Sequence, residues 1–154
     1  MRLGRSDLVI MERDASSRKH GYTVVSYIRA IEQEIPRTYE PGMLFIQDNA
    51  PIHTARIVKD WLRDNGIRIL KWPPYSPDLN PIEHLWALLK RALYQQFPAI
   101  EQLQGPRDYV EMELGRALQL AWESIPEDTL RRLGKSMRRR VQAVYKAKGW
   151  HTKY

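Results

Sequence analysis

Apolar and polar positions alternate between two kinds of run along the first half of the chain. In "SDLVIMER" (6–13) the residues Leu8, Val9, Ile10 and Met11 are contiguous, which predicts a buried strand. The polar link "ERDASSRKHG" (12–21) follows, and then Val24, Ile28, Ile31 and Ile35 recur at helical spacing, with Pro36 expected to stop that helix. "GMLFIQD" (42–48) reads as a second strand and "IRILKW" (67–72) as a third. Between them "HTARIVKDWLRDNG" (53–66) reads as a helix with Val58, Trp61 and Leu62 inward and Asn65-Gly66 as its stop.

The second half changes character. "PPYSPDLNP" (73–81) holds too many prolines for regular structure. A helix is expected from Pro81, with Ile82, Leu85, Trp86, Leu89 and Leu93 on one stripe. "FPAIEQLQGPRD" (97–108) reads as a loop or short helical link, and two or three helices should fill residues 109–148, with Gly134 and Gly149 as stops. Strand and helix alternate and then give way to helices alone, which predicts an α/β layered domain.

Composition narrows the function classes. A chain of 154 residues can bury one ordinary core, and a hydrophobic fraction of 43% is normal for a globular protein. There is no cysteine, which excludes a disulfide framework and a zinc-thiolate site and suits a reducing compartment. No apolar run approaches the roughly 18 residues of a membrane span, and no signal-peptide core is visible, so no membrane partner is expected. The net charge of +7 is unevenly placed: residues 129–154 carry nine Lys or Arg and no acid, leaving 16 basic against 18 acidic residues elsewhere. Such a patch suits a polyanion such as DNA, although a solvated basic helix end would look the same.

The candidate chemistry lies at Asp48 and Glu83. A carboxylate at the C-terminal end of a strand in an α/β sheet stands where ligands bind. If the strands beginning near Met43 and Ile67 are neighbours, both carboxylates reach one sheet edge, and hard oxygen ligands there suit magnesium or manganese. Two blander readings stand beside this. Asp-Asn after a strand is a common turn, and Asn80-Pro81-Ile82-Glu83 is a good helix start in which Glu83 is only a cap. His53 and His84 each lie near a carboxylate, but a surface or hydrogen-bonded histidine is the commoner fate, and neither forms a zinc pattern.

"QDNAPIHTA" followed by "WPPYSPDLNPIEHLW" resembles the catalytic core of Tc/mariner transposases, which are Asp-Asp-Glu recombinases with a ribonuclease-H-like fold. The 34 residues between Asp48 and Glu83 equal the spacing in many branches of that family. The resemblance covers nearly the whole chain. "GRSDLVIMERD" looks like an early sheet strand, and "SMRRRVQAVYKAKGWHTKY" like the C-terminus of fungal-type relatives.

The resemblance implies that Asp48 and Glu83 are catalytic and metal-binding, with two Mg2+ or Mn2+ ions in the intact family. It makes Asn49, His53 and His84 candidates for contacts to those ligands or to DNA. Arg138, Arg139, Arg140, Lys146 and Lys148 become candidates for phosphate contact. The first Asp of the family belongs upstream of "GRSDLVIMERD", and Asp7 and Asp14 lie on or after the wrong strand. The expectation is therefore an N-terminally truncated core over residues 1–96, with about three strands and either marginal stability or an oligomer that covers the unpaired edge. A helical extension with the basic tail would occupy residues 97–154. The implied function is metal-dependent cleavage and strand transfer at transposon ends. The alternative is an inactive remnant that binds DNA or pairs with full-length transposase. Implied partners are DNA (transposon ends and target) and either a second copy or full-length transposase, and the implied location is the nucleus, with "RRLGKSMRRR" (131–140) as a candidate address.

Overall fold

A computed structural model describes residues 5–74 and 76–154, so Gly4 and Tyr75, each inside a quoted motif, lie outside the described residues. The chain divides into two compact units: Val9–Tyr75, and Met1–Leu8 with Ser76–Tyr154.

The first unit carries three helices. Helix α1 spans Val24–Thr38, α2 spans Pro51–Thr54 and α3 spans Arg56–Asp64. Thr23 starts α1 with a reciprocal cap, its hydroxyl accepting from Ser26 N while Ser26 Oγ accepts from Thr23 N. Pro36 does not stop α1. It sits in the last turn, and the helix closes two residues later, with Tyr39 N donating to Ile35 O at 2.8 Å. The expected helix at 53–66 starts earlier and is divided by Ala55, whose backbone is extended at ψ 144°. Its stop is as expected. Gly66 takes φ +69°, its N–H reaches Arg63 O at 2.9 Å, and Ile67 N reaches Leu62 O at 2.8 Å. That double bond is the Schellman closure, which needs a residue free to adopt positive φ. It also folds Ile67 back onto Leu62. Both are buried with Val58 and Ile35, and Val24, Ile28, Ile31, Phe45 and Trp61 pack around them.

The three-stranded sheet expected of an α/β ribonuclease-H-like core is not formed among the described residues. Those residues hold helices, turns and one isolated parallel bridge between Phe45 and Ile69. Phe45 N donates to Arg68 O at 2.7 Å and Leu70 N to Phe45 O at 2.9 Å. The pairing stops there. The physical reason is visible in burial: Leu44, Ile46, Ile69 and Leu70 all stay exposed, so only Phe45 and Ile67 gain from the core. A ladder rung that buries no side chain offsets little of the entropy of ordering its residues. The segment 6–13 does not act as a strand either. Its early part belongs to the other unit, where Ser6 O accepts from Trp122 Nε1 at 3.0 Å and Leu8 joins a helical core.

That second unit is built from α4 (Ile82–Gln96), α5 (Arg107–Ser124) and α6 (Glu127–Lys146). Leu85, Leu89 and Leu93 form the buried stripe of α4 and meet Ala117, Ala121 and Trp122 of α5. Small residues at 117 and 121 are one turn apart, which lets the two helices approach closely. Trp86, expected on the same stripe, is 40% exposed at its edge. Arg5 closes the end of α5, donating to Ile125 O at 2.6 Å and to Glu123 O at 2.8 Å. Gly134 does not stop a helix, since α6 runs through it to Lys146. No helix among the described residues is long and apolar enough to cross a membrane.

Candidate active site

Asp48 stands in the turn that leads into α2. Its Oδ1 accepts from Ala50 N at 2.9 Å, closing an Asx turn, and also meets His53 Nδ1 at 2.5 Å. The Ala50 N–H, and after it the His53 contact, holds the Asp48 carboxyl below the usual carboxylate range, although partial burial opposes them. Asp48 is therefore ionised at neutral pH and acts only as acceptor, so His53 Nδ1 is assigned the proton. Oδ2 has no partner among the described residues, and the Asp48 side chain remains 62% exposed.

His53 is itself held from behind. Its ring lies 4.4 Å from the Tyr27 ring, centroid to centroid. The Tyr27 hydroxyl donates to Gln47 Oε1 at 2.8 Å, and Gln47 Nε2 donates to His53 O at 3.0 Å. Burial, and then the Asp48 charge, push the Tyr27 phenol up to about 12. Tyr27 and Gln47 were not expected in this role. Gln47 offered a faint signal, as a polar residue placed directly before Asp48 at the end of an apolar run. Asn49 turns the other way, its amide donating to Trp72 O at 3.1 Å.

Glu83 lies in the first turn of α4, in the other unit. The proline-rich stretch before it folds as one 3-10 turn, Pro77–Leu79, and Asn80 Oδ1 accepts from Ile82 N at 3.3 Å. Asn80 thus does the capping expected of it, one residue earlier than the helix proper. The Glu83 carboxylate makes no hydrogen bond or ion pair among the described residues and is exposed, so it is not spent on a capping box. The sheet edge on which Asp48 and Glu83 were expected to meet is not formed among the described residues.

His84 is engaged inside its own unit, its Nδ1 lying 3.1 Å from Arg140 Nη2. A guanidinium can only donate, so Nδ1 accepts and the neutral ring carries its proton on Nε2. This contact also corrects one expectation. Arg140 was placed with the phosphate-contacting residues, but it is 1% exposed and each of its three guanidinium nitrogens is hydrogen-bonded within the fold. On α6 it shares a face with Leu133, Ser136 and Val144, spaced three or four residues apart. That spacing was the signal that separates it from its neighbours. Arg138, Arg139, Lys146 and Lys148 are exposed. At 3.6 residues per turn the first three fall within an arc of about 100°. Arg131 and Arg132 are instead paired with Glu127 and Asp128, one turn earlier, at 3.9 and 2.7 Å.

Asp48 and Glu83, each within its own unit, offer hard carboxylate oxygens of the kind a divalent cation takes. Magnesium keeps several waters and takes one or two carboxylates together with phosphate oxygens of a substrate. The free Oδ2 of Asp48 and the unengaged carboxylate of Glu83 match that demand, while among the described residues no three His, Asp or Glu side chains gather into a cage.

Residues 5–104, which include Asp48 and Glu83, match the family model of the DDE superfamily endonuclease. The Tcb1 transposase of Caenorhabditis briggsae is 42% identical over 111 residues, which is 72% of this chain and 37% of that protein. The chain thus spans little more than a third of that relative's length. Among solved structures, the Mos1 transposase catalytic domain with Raltegravir and Mn superposes with a TM-score of 0.62 at 25% identity, covering 86% of this chain and 66% of that one. The Mos1 mariner paired end complex with Mn gives 0.63 at 26% identity, covering 86% and 38%. The two motifs that frame Asp48 and Glu83 therefore sit inside a match to a single family, and the chain belongs to the DDE superfamily endonucleases, on the Tc/mariner transposase side.

Proposed function

We propose that the chain acts on DNA as part of a transposase catalytic region, with Asp48 and Glu83 as ligands for Mg2+ or Mn2+. The observation that carries this reading is the Asp48 carboxylate: ionised, fixed at Oδ1 by Ala50 N and His53, and free at Oδ2. A carboxylate that served only its turn would need the first of those contacts and not the second. His53 and Tyr27 keep the carboxylate in one orientation, which matters because phosphoryl transfer rests on positioning. Divalent ions held by these carboxylates would lower the pKa of a water ligand and offset charge on the leaving oxygen. Glu83 supplies the second carboxylate from the start of α4, and its lack of a competing partner keeps it available.

Arg138, Arg139, Lys146 and Lys148 are assigned to phosphate contact, which fixes the protein on the duplex without reading sequence. Transposon ends and target DNA are the substrates under this reading, and the nucleus is its location. A second reading, DNA binding without cleavage, is favoured by the absence of a three-ligand cluster among the described residues.

Nicking of supercoiled plasmid by the purified chain in Mn2+, compared with Glu83→Ala, separates the two. Nicking that the substitution abolishes supports cleavage. Folded protein that binds duplex DNA and never nicks it leaves the binding reading. Binding that does not weaken with salt removes the phosphate contacts from both, since four contacts should give a slope of about −3.6 in log K against log salt.

A further inference from the structure

Arg140 is a cation with almost no exposure, and no carboxylate is hydrogen-bonded to it. A buried charge is tolerated only when its donors are all satisfied, and here the acceptors are neutral. Nε donates to Ser136 Oγ at 3.0 Å, one turn back on α6. Nη1 donates to Asp78 O at 2.8 Å, and Nη2 to His84 Nδ1 at 3.1 Å. The Tyr154 ring covers the guanidinium, with Cζ 4.7 Å from its centroid. An apolar side chain of similar volume would fill the same space and make none of these bonds. The charge is explained by what it holds.

What it holds lies on both sides of Glu83. Asp78 precedes that residue in the 3-10 turn, and His84 follows it on α4. Asp78 is gripped a second time, because its Oδ2 accepts from Thr152 N at 2.6 Å. The Thr152 side chain, then that N–H, with His151 adding to them against slight burial, keep the Asp78 carboxyl below the usual range and so ionised at neutral pH. The Glu83 side chain is free, while Asp78 before it is held from α6 and from the segment after α6, and His84 beside it is held from α6. We infer that Arg140 is a positioning residue for Glu83: its fork, covered by Tyr154, locks the turn before Glu83 to the residue after it and so fixes where the Glu83 carboxylate is presented. This rests on the reading of Glu83 as a metal ligand.

The test uses the full chain with Arg140→Lys, Arg140→Met, Tyr154→Ala and Glu83→Ala, each followed by two measurements. Hydrogen exchange of peptides covering 76–86 reads the brace directly. Calorimetric titration with Mn2+ alone reads its purpose. In Arg140→Met, exchange over 76–86 should rise about tenfold or more, the factor for one lost hydrogen bond to a charged group, while α5 keeps its protection. Arg140→Lys retains the charge but not the planar fork, so it should not restore protection. Both variants should weaken Mn2+ binding several-fold, and Tyr154→Ala should do so less.

Wild-type protection over 76–86 in Arg140→Lys and Tyr154→Ala overturns the inference, and these two variants decide the matter if Arg140→Met does not fold. So does a loosened segment with Mn2+ binding unchanged, which would make Arg140 a packing residue only. The metal reading fails separately, if wild type binds no Mn2+ or if Glu83→Ala binds it equally well.

Discussion

The two carboxylates are held in opposite ways. Asp48 is fixed through its own side chain by partners close in sequence, Ala50 and His53, with Tyr27 and Gln47 behind them. Glu83 has a free side chain, and its neighbours Asp78 and His84 are held by Arg140 and Thr152, which lie 56 to 74 positions from the groups they hold. The contrast teaches where order comes from in each unit. In Val9–Tyr75 a short turn organises itself around one carboxylate. In the other unit a proline-rich turn closed by its own short-range bonds, Leu79 N to Ser76 O and Asn80 N to Pro77 O, is tied down further by a helix and a segment from far along the chain.

The largest effects should come from the cores beneath the two turns. Leu62→Ala and Leu89→Ala remove side chains that are 0% and 5% exposed, and each should cost about 2–5 kcal/mol in chemical denaturation. Hydrogen exchange should then show Leu62→Ala deprotecting α3, and Leu89→Ala deprotecting α4. A loss below about 1 kcal/mol for Leu62→Ala would mean that the small core around Ile67 collapses to fill the gap.

Tyr27→Phe sharpens the local side of the contrast at smaller cost. It removes the bond to Gln47 Oε1 and should destabilise by about 0.5–1.5 kcal/mol. Its pH signature has a definite sign. The folded phenol keeps its proton up to about 12, against an ordinary value of 10.0. The unfolded chain therefore loses that proton first. The stability tied to it is complete below pH 10, falls as the pH climbs, and is gone near 12. Ultraviolet titration of tyrosinate should show a late phenol near 12 that Tyr27→Phe deletes, and the alkaline slope of stability should flatten in the variant. A Tyr27 that ionises with the exposed tyrosines would break the account of the Asp48 turn.

The smallest effect concerns neither turn. Arg107 and Glu111 pair at 2.7 Å on the exposed face of α5. A double-mutant cycle to alanine should return only about 0.3–0.5 kcal/mol. A coupling well above 1 kcal/mol would mean that surface pairs contribute more to this helical unit than its core burial suggests.

Much of this was legible in the sequence, and each part that was not has its own physical reason. The helices at Val24 and Ile82 followed from spacing alone, and the Asn65-Gly66 stop followed from the need for positive φ. Asp48 and Glu83 were singled out from two motifs at fixed separation, and the family match over residues 5–104 spans both motifs. The strands were misread because apolar runs report a wish to be buried, and Leu44, Ile46 and Leu70 find nothing in the described structure to bury them. Gly134 was misread because a glycine inside a long amphipathic helix costs only about 1 kcal/mol, which packing along the rest of α6 offsets. Arg140 was grouped with its neighbours by charge, although period rather than sign decides which side of a helix a residue faces.

The fork of Arg140 also sets a clock. Asp78 leaves the ribosome 62 residues before Arg140 and 74 before Thr152. At about 5–20 residues per second, the turn ahead of Glu83 waits roughly 4–15 s for its second tie. Until Arg140 follows, the nascent chain carries the Glu83 carboxylate with neither long-range tie on the turn before it.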